Sequence, residues 1–456
     1  MAQSTSPKPS EHERNPVPNS SIKGPGKFWG MYAGEHTAGT EFMIGPLFLL
    51  AGVTLPNIIF GLLAGNLMAV LSWRFLCAPI ATKARLTLYY HLEKIAGTGL
   101  VKLYNFANGL LFCFLAGAMI TVSATAVGIP FEIPMPTLED TLPNNVPFVI
   151  ITLLVGAVIA IVASRGYDTV ARFSNVAAPW MILVFLACGV IALKQLEVSS
   201  WAELTAVWND SITFAQDGKN ESTMGFWSVM FFAWFCNAAM HVGMADLSVF
   251  RYAKNNSCGW ASAAGMYIGH YMAWIAAALM LAAQIKLSQD ANPVPGPMAA
   301  NVAGLAGIIC VIVAGWTTAN PTIYRAGLAF QAMFPGSNRT TITLIAGGIA
   351  TIAGIFPAFA WQLLGFVGLY GLILAPMGAI IFFDWHYRRN RSAEALHQLT
   401  PTTPVNMAVL FAWLIPISIS LALIFLHGVT PHFCTLPSWI ATGILYLVFT
   451  KSDQTQ

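Results

Sequence analysis

Residues 146–163 read VPFVIITLLVGAVIAIVA: eighteen positions with no charge and a single hydroxyl, Thr152. A helix of about 20 apolar residues crosses the hydrocarbon of a bilayer, and runs of this kind recur along the whole chain. Only 9% of the 456 residues are charged, against about 25% in a soluble domain. Such a chain cannot clothe a water-facing surface. It reads as an all-α integral membrane protein, because inside lipid every backbone amide has to be satisfied within its own helix or by a neighbouring one.

Twelve transmembrane helices are expected, near 30–52, 57–80, 103–127, 145–164, 176–193, 224–247, 259–285, 302–330, 340–358, 361–383, 406–427 and 433–450. The charges test the count. With both termini cytoplasmic, Lys194, Lys219 and Lys286 fall outside, and the other 19 of the 22 Lys and Arg fall on or near the inside, Arg325 among them. That is the bias of the positive-inside rule, and one helix too many or too few would scramble it. The polar, Pro- and Ser-rich residues 1–25 lack the apolar core of a signal peptide and read as a disordered cytoplasmic tail. Together with the short tails this points to the inner membrane of a prokaryote.

Two spans are interrupted. The first reads GEHTAGTEFMIGPLF, with Glu41 at its centre; the sixth reads FFAWFCNAAMHVGMADL, with Asn237, His241, Gly243 and Asp246. They occupy matching places in two five-helix halves of opposite topology, 26–193 and 224–383, parted by a loop near 194–223 and followed by two further helices in 404–450. Paired interruptions of this kind are a sequence pointer to a transporter's midplane site. The eighth span is polar in its middle as well, WTTANPTIYR at 316–325. Residues at i, i+3 and i+4 share a helix face, so Ala314, Thr317 and Thr318 can turn three oxygens the same way; Thr hydroxyls also commonly bond back to their own helix.

Other classes find little support. The seven cysteines are scattered with no CxxC spacing, and HExxH, GxSxG and phosphate-loop motifs are absent, which argues against an enzyme or a bound cofactor. The basic HYRRNR at 386–391 reads as a topology anchor rather than a nucleic-acid site. Oligomeric state leaves no trace in the sequence.

Three stretches resemble the nucleobase:cation symporter-1 family, cytosine- and purine-permease-like: GWTTANPTIYRAGLAF in the eighth span, ADLSVFRYAKN at the end of the sixth, and DWHYRRNR at the end of the tenth. The resemblance implies a LeuT-like fold of two inverted five-helix repeats plus two helices. It implies a symporter that imports a nucleobase or related nitrogen heterocycle with a monovalent cation, Na+, held by Ala314, Thr317 and Thr318 and by freed carbonyls at Ala38 and Gly39. It further implies a planar substrate held among Thr40, Glu41, Asn108, Phe112, Phe235, Asn237 and Asn320. Two departures stand out: Leu111 and Asn237 fall where the family carries aromatics, so Phe112 or Phe114, and Trp234 or Phe235, have to substitute. Three roles are open to Glu41: reading a substrate N–H, carrying a proton in an H+-coupled transporter, or pairing with His36 or His241. A non-transporting sensor on the same fold is a further alternative.

Overall fold

The apolar runs wind into helices, and the glycine-rich polar stretches fall where those helices stop. The computed structural model describes residues 12, 14–137, 140–218, 224–334, 336–400 and 403–451. In chain order, α1 comes in two pieces, Gly26–His36 and Glu41–Leu50; α2 is Leu55–Ala84, α3 Thr98–Val127, α4 Val146–Ser164 and α5 Tyr167–Gln195. The next, α6, is in three pieces, Phe226–Phe235, Ala238–His241 and Leu247–Phe250. Then follow α7 (Asn256–Ser288), α8 (Pro295–Met333), α9 (Arg339–Gly354), α10 (Leu363–Arg388), α11 (Met407–His427) and α12 (Pro431–Lys451). Among the described residues nine helices are long and apolar enough to cross a membrane. The remaining three of the expected twelve are the fragmented α1 and α6 and the 16-residue α9.

Two features differ from expectation. The loop after α5 contains a helix, Trp201–Ala215, capped by Ser200, whose hydroxyl accepts the Glu203 N–H. Its Trp208 indole donates to the Val53 carbonyl at 2.9 Å and Gln216 to that of Leu50, so it lies across the end of α1. In α8, Gly304 takes φ 57° and ψ −136°, a conformation open to glycine. The segment before it folds back: a Cβ on Gly307 would stand 2.2 Å from the Ala299 carbonyl. The continuous part of α8 therefore starts close to the expected 302.

The packing is reciprocal, as two inverted repeats require. The first helix of each half lies on the second helix of the other: α1 on α7, and α6 on α2. The third helices, α3 and α8, pack on each other, as do the fourth, α4 and α9. Small residues allow these approaches, in keeping with membrane helix pairs generally. A Cβ on Gly45 of α1 would stand 2.2 Å from the Trp274 carbonyl of α7, and one on Gly65 of α2 would stand 2.3 Å from the Met230 carbonyl of α6.

The N-terminal segment, expected to be disordered, is in part pinned. Val17 N–H donates to the Arg85 carbonyl at 3.1 Å, Lys23 N–H to that of Tyr252 at 2.7 Å, and Arg14 pairs with Glu93. Residues 1–11 and 13 lie outside the described residues.

Gly45→Leu should prise α1 from α7, since the obstacle is backbone rather than a movable side chain. Overpacking of this kind costs about 1–3 kcal/mol or more, read as a lower melting temperature of the purified protein in detergent. An unchanged melting temperature would refute the close α1–α7 contact.

Candidate functional site

Both helix breaks lie deep inside the bundle, and each exposes backbone and polar side chains to the other. In α1 the chain leaves the helix at Thr37 (φ −97°, ψ 75°), whose hydroxyl and N–H both return to the Ala33 carbonyl. In α6 it turns at Asn237 (φ −107°, ψ 26°) and again around Met244, which sits at φ 67°. Two buried polar layers form around these breaks.

The first layer centres on Glu41. Its carboxylate accepts the indole N–H of Trp274 and the hydroxyl of Thr40, the latter at 3.0 Å. His270 Nε2 stands 3.7 Å from the same carboxylate and 3.4 Å from the Asn237 amide nitrogen. The His270 ring stacks on Trp274 with centroids 4.3 Å apart, and its Nδ1 lies 3.8 Å from Cys236 Sγ. Both α7 residues project from one face because they are four positions apart, and His270 is the last residue but one of a π-helical stretch, Ala264–Tyr271. Wide turns of that kind recur at functional sites.

The second layer is ionic. The Arg325 guanidinium of α8 pairs with Glu35 of α1 and, at 3.5 Å, with Asp246 of α6. Asp246 also accepts the Tyr32 hydroxyl and, at 2.6 Å, the Trp73 indole N–H. One buried cluster thus joins α1, α2, α6 and α8. Each ionic side chain has an opposite charge and hydrogen bonds, the condition under which buried charge is tolerated.

Beside the first layer, α1 meets α8 at its break. A Cβ on Gly39 would stand 2.9 Å from Gly315 Cα and 3.2 Å from Val122 Cγ1, so only a glycine fits between α3 and α8 there. Two and three residues on from Gly315, Thr317 and Thr318 donate to the Ala314 carbonyl at 2.9 and 3.3 Å. The hydroxyls do bond back to their own helix, yet each keeps its lone pairs for another partner. Among the described residues no group of three or more His, Cys, Asp or Glu is arranged to hold a metal ion. The donors gathered here are carbonyls and hydroxyls, the set suited to a hard cation. Ala38 adds a carbonyl at the break that accepts the Glu41 N–H at 3.2 Å.

Of the residues expected around a substrate, Thr40, Glu41 and Asn237 come together. The others do not join them. Phe235 stacks on Trp234 and packs with Ala375, Ala379 and Trp439, away from Glu41. Asn320 follows Thr318 by two residues, about 200° round the helix. It lies instead towards the side where Gly327, seven residues on, meets Thr343 of α9. Asn108 and Phe112 are displaced along α3. The position level with Gly39 is Val122, and 14 and 10 residues at about 1.5 Å each put them about 21 and 15 Å away along the axis. Motif spacing within one helix says nothing of how far that helix slides past its neighbour.

Glu41 meets neither His36 nor His241: the former bonds the Tyr32 carbonyl and the latter that of Trp234. Asp246 takes Arg325, while the guanidinium of Arg251, five residues on from Asp246, reaches the carbonyls of His12 and Ser248. Sequence reasoning missed Trp274, His270 as a partner of Glu41, and Glu35. The available signals were the four-residue spacing in α7 and the presence of opposite charges, Glu35 and Arg325, within two spans.

Arg325→Gln should strand two buried carboxylates. Breaking a buried ion pair costs about 3–5 kcal/mol, so the melting temperature should fall sharply, and adding Glu35→Gln with Asp246→Asn should restore much of it. A single variant as stable as the parent would show the layer to be solvated.

No protein-family model matches the chain, and no curated protein does. Solved structures do. Mhp1, a nucleobase-cation-symport-1 family transporter, in a closed conformation with bromovinylhydantoin bound, superposes with a TM-score of 0.72 at 18% identity, over 96% of this chain and 94% of that one. A Na+-coupled sialic acid symporter in a substrate-bound outward-open state gives 0.65 at 13% identity, over 92% and 89%. A manganese transporter of Eremococcus coleocola gives 0.56 at 12%, over 97% and 96%. The chain has the LeuT-like fold of these membrane transporters, and at such identities the likeness is one of fold.

Proposed function

We propose that the protein is a secondary active transporter that carries a small planar nitrogen heterocycle together with Na+ across the cell membrane by alternating access. One observation carries the reading: two broken helices from inverted halves meet at a buried carboxylate, with a carbonyl and hydroxyl cluster beside it. Discontinuous helices at the interface of two repeats are how transporters of this architecture build substrate and ion sites. An acid at the centre of a spanning helix costs about 2.5–3.5 kcal/mol on insertion scales, and such residues face a cavity or a partner and mark substrate or ion pathways.

In this reading Glu41 accepts N–H groups from the ring edge, while Thr40, Asn237 and His270 line the same space. Trp274 fixes the carboxylate and supplies an aromatic face. The coupling ion takes the Thr317 and Thr318 hydroxyls and the Ala314, Ala38 and Gly39 backbone. Because those ligands come from both α1 and α8, the ion holds the two helices together. The Arg325 layer then has to part for cargo to leave on the side where the chain begins. The nucleobase-cation-symport-1 neighbour with its bound hydantoin supports a ring as cargo, and the sialic acid symporter supports Na+.

Uptake of labelled cytosine, hypoxanthine and hydantoin into proteoliposomes tests the reading. A Na+ gradient should raise the initial rate of at least one of them about tenfold, and equal rates with and without Na+ would remove sodium coupling. Thr318→Ala should raise the Na+ concentration for half-maximal uptake several-fold with the fold intact; an unmoved value would dismiss the ion site.

Glu41→Gln separates substrate reading from proton carriage. The amide still accepts the Trp274 N–H, so the fold should survive. Substrate KM should rise about tenfold, since a hydrogen bond to a charged group is worth about 1.5–3 kcal/mol, and Na+ dependence should persist. Loss of pH-driven uptake, with KM unmoved, would instead favour an H+-coupled carrier.

A further inference from the structure

The two residues of α3 that fall short of the Glu41 layer do not lie in plain apolar packing. Asn105, Asn108 and Phe112 follow one another at i, i+3 and i+7, one stripe of the helix, and all three are fully buried. Phe112 meets the Tyr370 ring of α10 edge-on at 5.7 Å, and Asn108 donates to the Tyr89 hydroxyl at 3.3 Å. Yet both polar atoms of Asn105, the carbonyl oxygen of Asn108 and the hydroxyl of Tyr370 have no hydrogen-bond partner. A buried polar group left unpaired costs about 1–3 kcal/mol, so four such atoms in one neighbourhood call for something that satisfies them.

Their place in the bundle is defined by α8. Phe330 packs on Gly109, one residue from Asn108, and Arg325 precedes Phe330 by five residues, about 7.5 Å of helix. Tyr89 and Tyr370 both lie within electrostatic range of Arg325. The cluster therefore sits just beyond the ionic layer, about 20 Å along α3 from the α1 break, on the side where the chain begins.

We infer that Asn105, Asn108, Tyr89 and Tyr370, with Phe112 as an aromatic wall, form a second station for a planar heterocycle, occupied on the way between the Glu41 layer and the cytoplasm. The chemistry suits that ligand class: an amide offers a donor and an acceptor to a ring edge, and aromatic faces stack on rings. This deepens the proposed function and rests on it. Cargo freed from Glu41 when the Arg325 layer parts meets amide and phenol groups that compensate its lost hydrogen bonds before it reaches water. The site thereby sets affinity on the inner side while leaving the outer side to Glu41.

The test uses the full chain in oriented proteoliposomes, with whichever of cytosine, hypoxanthine and hydantoin the parent protein carries. In Asn105→Leu with Asn108→Leu, the internal concentration of unlabelled ring that half-maximally stimulates exchange should rise at least fivefold. The KM for entry from outside should stay within twofold, and the melting temperature should change little, because three of the four amide atoms replaced by apolar groups of similar size are unpaired and only the Asn108 bond to Tyr89 is lost. Tyr370→Phe, which deletes only the unpaired hydroxyl, should move the internal value about twofold in the same direction and serves where the double variant does not fold. If neither value moves, the cluster holds water only and the inference falls. It falls equally if both values move together, since the residues then belong to the Glu41 site. A parent protein that carries none of the three rings sinks the functional reading itself, an outcome distinct from either.

Discussion

A buried guanidinium holds the broken helices together. Arg325 reaches Glu35 on one interrupted span and Asp246 on the other, while Tyr32 and Trp73 donate to Asp246 from the flanks. A helix that stops inside a membrane leaves carbonyls and amides unsatisfied, and its loose halves would drift unless fixed from the side. Ionic contacts in low dielectric fix them strongly and directionally. The same contacts can separate as a unit, which continuous apolar packing cannot do. That makes the layer both a clamp and a natural place for a gate.

Above this clamp the Glu41 layer has a different character. Its members are one carboxylate, a neutral amide, an imidazole and an indole, held by bonds that a ligand could replace one at a time. The glycine at position 39 presses the α1 break against Gly315, so the hydroxyl and carbonyl cluster proposed for the ion on α8 and the groups proposed for the substrate on α1 are parts of one joint. Whatever binds at either place alters the fit of α1 against α8. In the proposed function, coupling between ion and cargo needs no longer path than that.

How much of this was legible beforehand follows from the kind of information each feature needs. The hydrophobic period located most spans to within a few residues, because it is local, although α5 begins at Tyr167, nine residues before the expected 176. Paired breaks were visible as Gly, Pro and acid inside apolar runs. The grouping of Ala314, Thr317 and Thr318 followed from helical spacing alone. Asn108, Phe112, Phe235 and Asn320 were different. Their roles depended on how far α3 slides along its neighbours and on which way α6 and α8 are turned, and no single helix encodes either. Arg325 misled for a related reason: by position it counted as an inside charge, and only its partners on two other helices explain why it is buried.

The sequence by itself determined an all-helical membrane chain, its two interruptions, and the oxygen-bearing face of the eighth span, since periodicity and hydropathy act over one or two turns. Tertiary structure alone decided that Glu41 meets Trp274 and His270, that Arg325 joins Glu35 and Asp246, and that the amides of α3 lie just beyond the ionic layer. Those pairings span more than 75 residues of chain in every case, and they arise from close helix approach at glycines such as Gly39 and Gly45. Distance along a sequence carries no record of such an approach.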